Sequence, residues 1–351
     1  MSGIHRSILE AIGHTPLIEL QRVRPPGGRI LVKMESLNPG GSVKCRPAHA
    51  MIQEAERRGL LRPDSIIVEA SSGNQGIALC MVGAALGYKV RIVMPANMTR
   101  ERQAIIRAYG AELVLTDPGN DIGEAIGNAL AVVERMAGED PRVFVPGQFN
   151  NPSNPESHYR TTAAEILEQI GTEGPVDAFV SGVGTGGTLT GVGRALKEVF
   201  PECLVVAAEP QKAAILSGGR IGHHLQQGIG DGIIPPVLDL TIVDRTVLVS
   251  DEAAMATAGR LAREEGMMVG ISSGTNVHAA LMIAEDLGPG KTILTICPDT
   301  GDRYLSIALA GEETPAQSDP APAATHPAVG AGSKPAPTRT VAPTPTAVPL
   351  P

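Results

Sequence analysis

Short apolar runs alternate with longer stretches of helical period along most of the chain. Ile66-Ile67-Val68 is a strand by this pattern, and a glycine-containing turn leads from it into a helix from Gly76 to Gly87. Lys89 to Met94 is the next strand. Arg100 to Tyr109 is a helix closed by Gly110, and Glu112 to Leu115 is again a strand. The pattern restarts at Ala178-Phe179-Val180, with a helix from Thr188 to Val199 and a strand from Leu204 to Ala208. Thr162-Ala163-Ala164-Glu165 has the spacing of a capping box opening the helix before it. Such alternation predicts an α/β fold of two lobes, each a mainly parallel sheet flanked by helices. The Pro/Asn-rich stretch from Pro146 to Pro155 marks the boundary, giving lobes at 1–150 and 151–312.

The last segment breaks the pattern. Ten of the 29 prolines fall within 315–351, among Ala and Thr. Proline fixes φ and lacks an N–H, so 313–351 reads as a disordered extension or a partner-docking tail.

Charge and composition remove several function classes. The net charge of −8 and the scarcity of aromatics argue against nucleic acid. The absence of a long apolar run predicts no membrane span, and the start of the chain lacks a signal-peptide core, so a cytoplasmic protein is expected. Cys45, Cys80, Cys203 and Cys297 form no CxxC pair and have no His cluster beside them. Neither a metal site nor a disulfide framework is therefore expected. Cys45 is read as core filling, with its reactivity open to question because it adjoins Lys44.

Three glycine-containing turns and one lysine carry the candidate chemistry. Lys44 follows Asn38-Pro39-Gly40-Gly41 and precedes an apolar run, which places it at a loop-to-helix junction. A lysine there is either a solvated surface charge or, if partly buried, an amine able to form a Schiff base with an aldehyde. Strand 178–180 runs into Gly184-Thr185-Gly186-Gly187-Thr188 and a helix. That geometry suits a phosphate, against the alternative of a tight turn without a ligand. It matches neither GxGxxG nor GxxxxGK[ST], so a monophosphate cofactor fits better than a nucleotide. Ser71-Ser72-Gly73-Asn74-Gln75 is a second strand-to-helix turn, able to hold a carboxylate or simply to cap its helix. Gly270-Ile271-Ser272-Ser273-Gly274 precedes a helix from Val277 to Leu287, and its serine serves either a pyridine nitrogen or the helix end.

Together these pieces are the parts needed to hold pyridoxal 5'-phosphate. In their order the chain resembles the cysteine synthase (O-acetylserine sulfhydrylase) family of fold-type II, tryptophan synthase β-like enzymes. The matching segments run from Ile12-Gly13-His14-Thr15-Pro16-Leu17 to Pro298-Asp299-Thr300-Gly301-Asp302-Arg303-Tyr304-Leu305-Ser306. Between them lie Gln148 to Pro155, Leu216-Ser217-Gly218-Gly219 and Gln227-Gly228-Ile229-Gly230. The resemblance covers residues 1 to about 310 and leaves the tail outside, with the first ~35 residues free to pack on the other lobe.

The resemblance implies Lys44 as Schiff-base lysine and acid/base at the substrate α-carbon. It implies Gly184, Thr185, Gly186, Gly187 and Thr188 as the phosphate cradle, Asn74 at the ring oxygen and Ser272 at the ring nitrogen. It implies Ser71, Ser72, Gly73, Gln75 and Gln148 around the substrate carboxylate. The implied reaction is β-replacement: O-acetyl-L-serine and sulfide give L-cysteine and acetate. A homodimer that binds the C-terminal peptide of serine acetyltransferase is implied as well.

Two departures stand out. The family loop Thr-Ser-Gly-Asn-Thr is here Ser71-Ser72-Gly73-Asn74-Gln75, and Asp231 replaces a small apolar residue. If Asp231 faces the cleft it disfavours anionic nucleophiles and suits an amine-bearing one; if it faces solvent it does neither. These departures keep open O-phosphoserine as donor, and homocysteine or an amine as nucleophile. A non-catalytic peptide-binding module is the competing reading of another class, and the presence of Lys44, Asn74, Ser272 and the phosphate turn argues against it.

Overall fold

A computed structural model describes residues 3–219 and 221–309. The proline-rich segment 313–351, read above as a disordered or docking tail, lies outside the described residues.

The strands are β1 (Leu17–Glu19), β2 (Arg29–Lys33), β3 (Ile66–Ala70), β4 (Lys89–Pro95), β5 (Glu112–Thr116), β6 (Val143–Phe144), β7 (Ala178–Gly182), β8 (Leu204–Pro210), β9 (Arg245–Val249) and β10 (Thr292–Ile296). They form two sheets. A four-stranded sheet has the order β5-β4-β3-β6 and is parallel throughout. A six-stranded sheet has the order β1-β2-β10-β7-β8-β9, parallel except for the β1–β2 pair. The α/β architecture with mainly parallel sheets, expected from the alternating pattern, is the observed one. β1 and β2 belong to the sheet built otherwise from residues after 177.

Each sheet is buried on both faces, which is why its strands are nearly continuous apolar runs. Side chains alternate between two cores as the pleat requires. On the large sheet Ile30, Val32, Ala178, Val180, Val206 and Ala208 enter one core. Leu31, Phe179, Val205 and Ala207 enter the other. On the small sheet Ile67, Val90 and Ile92 face one core, and Ile66, Val68 and Val93 the opposite one.

The helices that matter for the site start where strands end. They are α1 (Cys45–Arg57), α2 (Asn74–Leu86), α3 (Arg100–Ala108), α4 (Ile122–Glu139), α5 (Ser153–Ser157), α6 (Ala164–Ile170), α7 (Gly187–Val199), α8 (Asp251–Glu265) and α9 (Ile271–Leu287). α2 is apolar all round and buried from Gln75 to Gly83, and it ends at Gly87 in the left-handed conformation. α9 begins six residues earlier than its sequence pattern suggests, because Ser272, Ser273 and Gly274 are helical and packed tightly. At Gly274 an added Cβ would run into the Ala254 carbonyl oxygen on α8.

One expectation fails. Thr162 does not cap a helix. α5 continues through a π-helical turn, His158–Ala163, into α6, so the first N–H groups of α6 are not orphaned. The Thr162 hydroxyl instead lies 2.9 Å from His158 Nδ1. Glu165 is drawn into a buried ionic cluster. Its carboxylate accepts from Arg46 Nη1 at 2.6 Å and Lys33 Nζ at 2.8 Å, while Arg46 Nε also donates to Glu35 at 2.7 Å. Thr15 and Asn38 complete this cluster directly beneath the loop that carries Lys44.

Candidate active site

The C-terminal ends of β3 and β7 and the N-termini of α1, α2, α7 and α9 converge on one pocket. Lys44 stands just before α1 in helical conformation, half-buried, and its Nζ lies 3.3 Å from Thr185 Oγ1. The amine is pushed down to about 8 because burial disfavours its charge, more than Asp231 and Glu69 favour it. Cys45, its neighbour, is buried, and burial pushes its thiol up to about 11, which makes it a poor nucleophile.

The turn after β3 folds around its first serine. Ser71 Oγ accepts from the N–H groups of Gly73 at 3.1 Å and Gly76 at 2.9 Å, so it does close the start of α2. Its hydroxyl hydrogen remains to donate. Ser72 and Asn74 line the pocket, half-buried. Gly73 lies behind the wall, where an added Cβ would meet the Arg102 side chain at 2.5 Å. Gln75 is buried and lines the pocket, and neither its Nε2 nor its Oε1 has a hydrogen-bond partner among the described residues. Gln148 is also buried at the wall, with Nε2 donating to the Ala70 carbonyl at 3.3 Å.

The turn after β7 is built on close approach. Gly186, just before α7, has φ +79°, and a Cβ on it would meet Leu238 Cβ at 2.7 Å. A Cβ on Gly184 would collide with the Gly228 carbonyl oxygen, and one on Gly187 with the Asn154 carboxamide. Gly186 has no side chain to cap α7; the Gly187 N–H makes a long 3.4 Å contact with Thr185 Oγ1, and the next N–H groups of the first turn are left to meet an anion. Thr185 Oγ1 accepts from Asn154 Nδ2 at 3.0 Å, and Thr188 Oγ1 lies 3.3 Å from His158 Nε2. Gly184, Thr185, Gly186 and Thr188 line the pocket, and Gly187 lies behind them. Ser272 is buried at the far wall. The residue capping α9 is Gly270, so Ser272 is not consumed at the helix end.

Three further groups at the site were given no role from the sequence. Glu69 is buried under the pocket, and burial pushes its carboxyl up to about 8 against the N–H groups of Gly147 and Gln148. His158 sits beneath the phosphate turn and is held well below the ordinary imidazole value, first by burial and then by the charges of Arg46 and Lys44. The third group comes from the end of the chain. Asp299 Oδ2 accepts from Asn74 Nδ2 at 2.7 Å, and Arg303 donates to Asn74 Oδ1. The Pro298–Ser306 segment was visible as a motif, but only the fold brings it to Asn74.

A protein-family model described as "Pyridoxal-phosphate dependent enzyme" matches residues 8–299. The chain belongs to this family. Among its relatives is the cysteine synthase of Staphylococcus aureus, 47% identical over 305 residues that cover 86% of this chain and 96% of the relative. The solved structure of an O-ureido-L-serine synthase superposes with a TM-score of 0.83 at 44% identity, covering 90% of this chain and 98% of the other. An O-acetylserine dependent cystathionine beta-synthase from Helicobacter pylori gives a TM-score of 0.82 at 38% identity, covering 87% and 98%. The chain is therefore a pyridoxal-phosphate dependent enzyme of the tryptophan synthase β-like α/β fold, as the resemblance implied.

The residues fit the cofactor. Gly184, Gly186 and Gly187 occupy positions where any side chain would collide, α7 offers uncapped N–H groups to a phosphate, and Lys44 supplies an amine already poised to lose its proton. No helix among the described residues is long and apolar enough to cross a membrane.

Proposed function

We propose that this enzyme performs β-replacement on an activated L-serine, converting O-acetyl-L-serine and sulfide to L-cysteine and acetate. The observation that carries the reading is Gln75: a buried carboxamide with both ends unpaired, on the wall of the pocket that holds Lys44. A buried polar group without a partner is costly, so a ligand that pairs with it is favoured. A substrate carboxylate accepts from Gln75 Nε2 and from the free hydroxyl hydrogen of Ser71, with Ser72, the Gly73 backbone and Gln148 around it. The name of the 47% identical relative supports the same reaction.

When bound, pyridoxal phosphate supplies an electron-withdrawing ring that stabilises negative charge at the substrate α-carbon. The chain's own residues do the rest. Gly184, Thr185, Gly186, Gly187 and Thr188 hold the phosphate, and Asn74, clamped by Asp299 and Arg303, holds the ring oxygen. Ser272 offers the ring nitrogen a neutral hydroxyl, which limits protonation there and favours elimination over transamination. Lys44 anchors the cofactor and then carries the proton to and from the α-carbon, a task suited to an amine whose ordinary value is lowered towards neutrality.

Asp231 favours a second reading, in which the nucleophile is homocysteine or an amine, and the changed family loop at Gln75 leaves O-phosphoserine open as donor. A homodimer in the cytoplasm that takes a serine acetyltransferase C-terminal peptide into the cleft follows from the family resemblance. The test is direct: protein loaded with cofactor is given O-acetylserine and sulfide, and cysteine and acetate are quantified. Equal amounts of both establish the reading. Consumption of O-phosphoserine but not O-acetylserine moves it to the second donor.

A further inference from the structure

Asn154, on α5, is 1% exposed and joins two parts of the site from behind the pocket wall. Its Nδ2 carries two hydrogens. One goes to the Gln148 carbonyl oxygen at 2.8 Å and the other to Thr185 Oγ1 at 3.0 Å. The Gln148 carbonyl can only accept, which fixes the orientation of the carboxamide. Oδ1 is then turned against Gly187, where an added Cβ would lie 2.0 Å from it, and it has no partner among the described residues. A buried oxygen left unpaired is destabilising. That cost is offset only if the two hydrogens do something that packing alone does not.

Each hydrogen settles one residue of the site. Thr185 Oγ1 also faces Lys44 Nζ at 3.3 Å and the Gly187 N–H at 3.4 Å. With three N–H donors directed at its oxygen, the Thr185 hydroxyl must aim its own hydrogen elsewhere, and no acceptor for it lies among the described residues. Thr185 lines the pocket between Gly184 and Gly186, so that hydrogen is left for an anion there. The other hydrogen holds the turn that carries Gln148. Glu69 accepts from the Gly147 N–H at 2.9 Å, and Asn154 takes the Gln148 carbonyl, so the turn is fixed from both sides.

We propose that Asn154 is a positioning residue that couples two subsites. Through Thr185 it directs a hydroxyl hydrogen at the cofactor phosphate, and through Gln148 it sets the wall that meets the substrate carboxylate. The first part needs only the pyridoxal-phosphate site; the second rests on the β-replacement reading.

The test uses Asn154→Asp and Asn154→Ala. Apo-protein is titrated with pyridoxal 5'-phosphate and, separately, with pyridoxal, which lacks the phosphate. The carboxylate in Asn154→Asp has no hydrogen for Gln148 and draws the Thr185 hydrogen to itself. This variant should bind pyridoxal phosphate about 10- to 100-fold more weakly, as loss of a hydrogen bond to a charged group predicts. Its affinity for pyridoxal should stay that of the wild type, and phosphorus NMR of the loaded variant should show a displaced phosphate signal. Asn154→Ala should lose phosphate affinity in the same direction, and should lose no more of it in a Thr185→Val background. With O-acetylserine, both single variants should raise KM more than they lower kcat. If Asn154→Asp does not fold, Asn154→Ala and its cycle with Thr185→Val decide the matter. Equal losses for the two titrants, or additive losses with Thr185→Val, make Asn154 a packing residue and overturn the inference. Wild-type protein that binds the cofactor but turns over no activated serine overturns the β-replacement reading, and the titrations still decide the role of Asn154.

Discussion

Asn74 and Asp299 are 225 positions apart in sequence and joined by a 2.7 Å hydrogen bond. Asp299 Oδ2 also accepts from the Tyr304 hydroxyl at 2.6 Å, and Tyr304 in turn accepts from Arg102 Nη2 at 2.6 Å. The Arg102 guanidinium also lies over the Tyr304 ring, 4.8 Å from its centroid. Asn74 therefore does not choose its own orientation; the end of the chain sets it. Asp299→Asn is expected to release that orientation and weaken cofactor binding by about 10-fold, the worth of one well-placed hydrogen bond. Titrating apo-protein with pyridoxal phosphate checks this, and unchanged affinity would remove Asp299 as a positioning residue.

Lys44 in the cofactor-free protein should titrate near pH 8, well below a surface lysine. Burial dominates the shift, so the sign is downward, and Asp231 works against it. Asp231→Asn should lower the value further. Reductive methylation with labelled formaldehyde gives one NMR signal per lysine, and Lys44→Arg assigns it. A signal titrating above pH 10 would contradict the desolvation argument.

Gln75 is expected to trade stability for binding. Gln75→Leu removes a buried carboxamide with no internal partner, so the cofactor-free protein should gain about 1 kcal/mol. The same change should raise KM for the amino-acid substrate by about 10- to 100-fold, as loss of a hydrogen bond to a charged group predicts. Denaturant unfolding and steady-state kinetics on one variant measure both. A stable variant with unaltered KM would take Gln75 out of the substrate site.

The buried cluster around Arg46 should fail as a unit. Arg46→Met leaves Glu35 without its cation and Glu165 with Lys33 alone, and should cost about 3–5 kcal/mol. Glu165 supplies the pH signature. Burial acts to raise its carboxyl, but hydrogen bonding and charge from Arg46 and then Lys33 hold it down at about 2. A depressed folded value means the stabilisation is fully present above the unfolded carboxyl range and is lost as pH falls from there towards 2. Acid unfolding of Glu165→Gln should be flatter across that window than wild type.

Local chemistry was readable wherever a strand fed a turn and then a helix. The Gly184–Thr188 and Ser71–Gln75 turns were found from their glycines and hydroxyls, because those residues answer to backbone constraints within a few positions. What stayed hidden depended on distant partners. The residues near Leu17 and Arg29 do not themselves announce that β1 and β2 join a sheet whose other strands come after residue 177; only the family resemblance left the first ~35 residues free to pack on the other lobe. Lys33, Glu35 and Arg46 carry no local signal of their cluster with Glu165, since burial of such residues is rare unless they find one another. Thr162 and Glu165 had the spacing of a cap, but a helix already running through them left nothing to cap. At Ser71 the capping and ligand-binding alternatives were not exclusive, since its oxygen does one job and its hydrogen is free for another.

The large sheet places β10 between β2 and β7. During synthesis, β2 emerges early and must wait for a strand made some 260 residues later before it has its parallel neighbour. The small sheet, complete by Phe144, has no such delay. At the elongation rates of about 5–20 residues per second, the wait lasts on the order of tens of seconds. For that interval an apolar strand near the N-terminus is without its sheet. This enzyme should therefore lean on chaperones during translation, and a stop between Phe144 and Ile296 should release a chain with its small sheet complete and its large sheet unable to close.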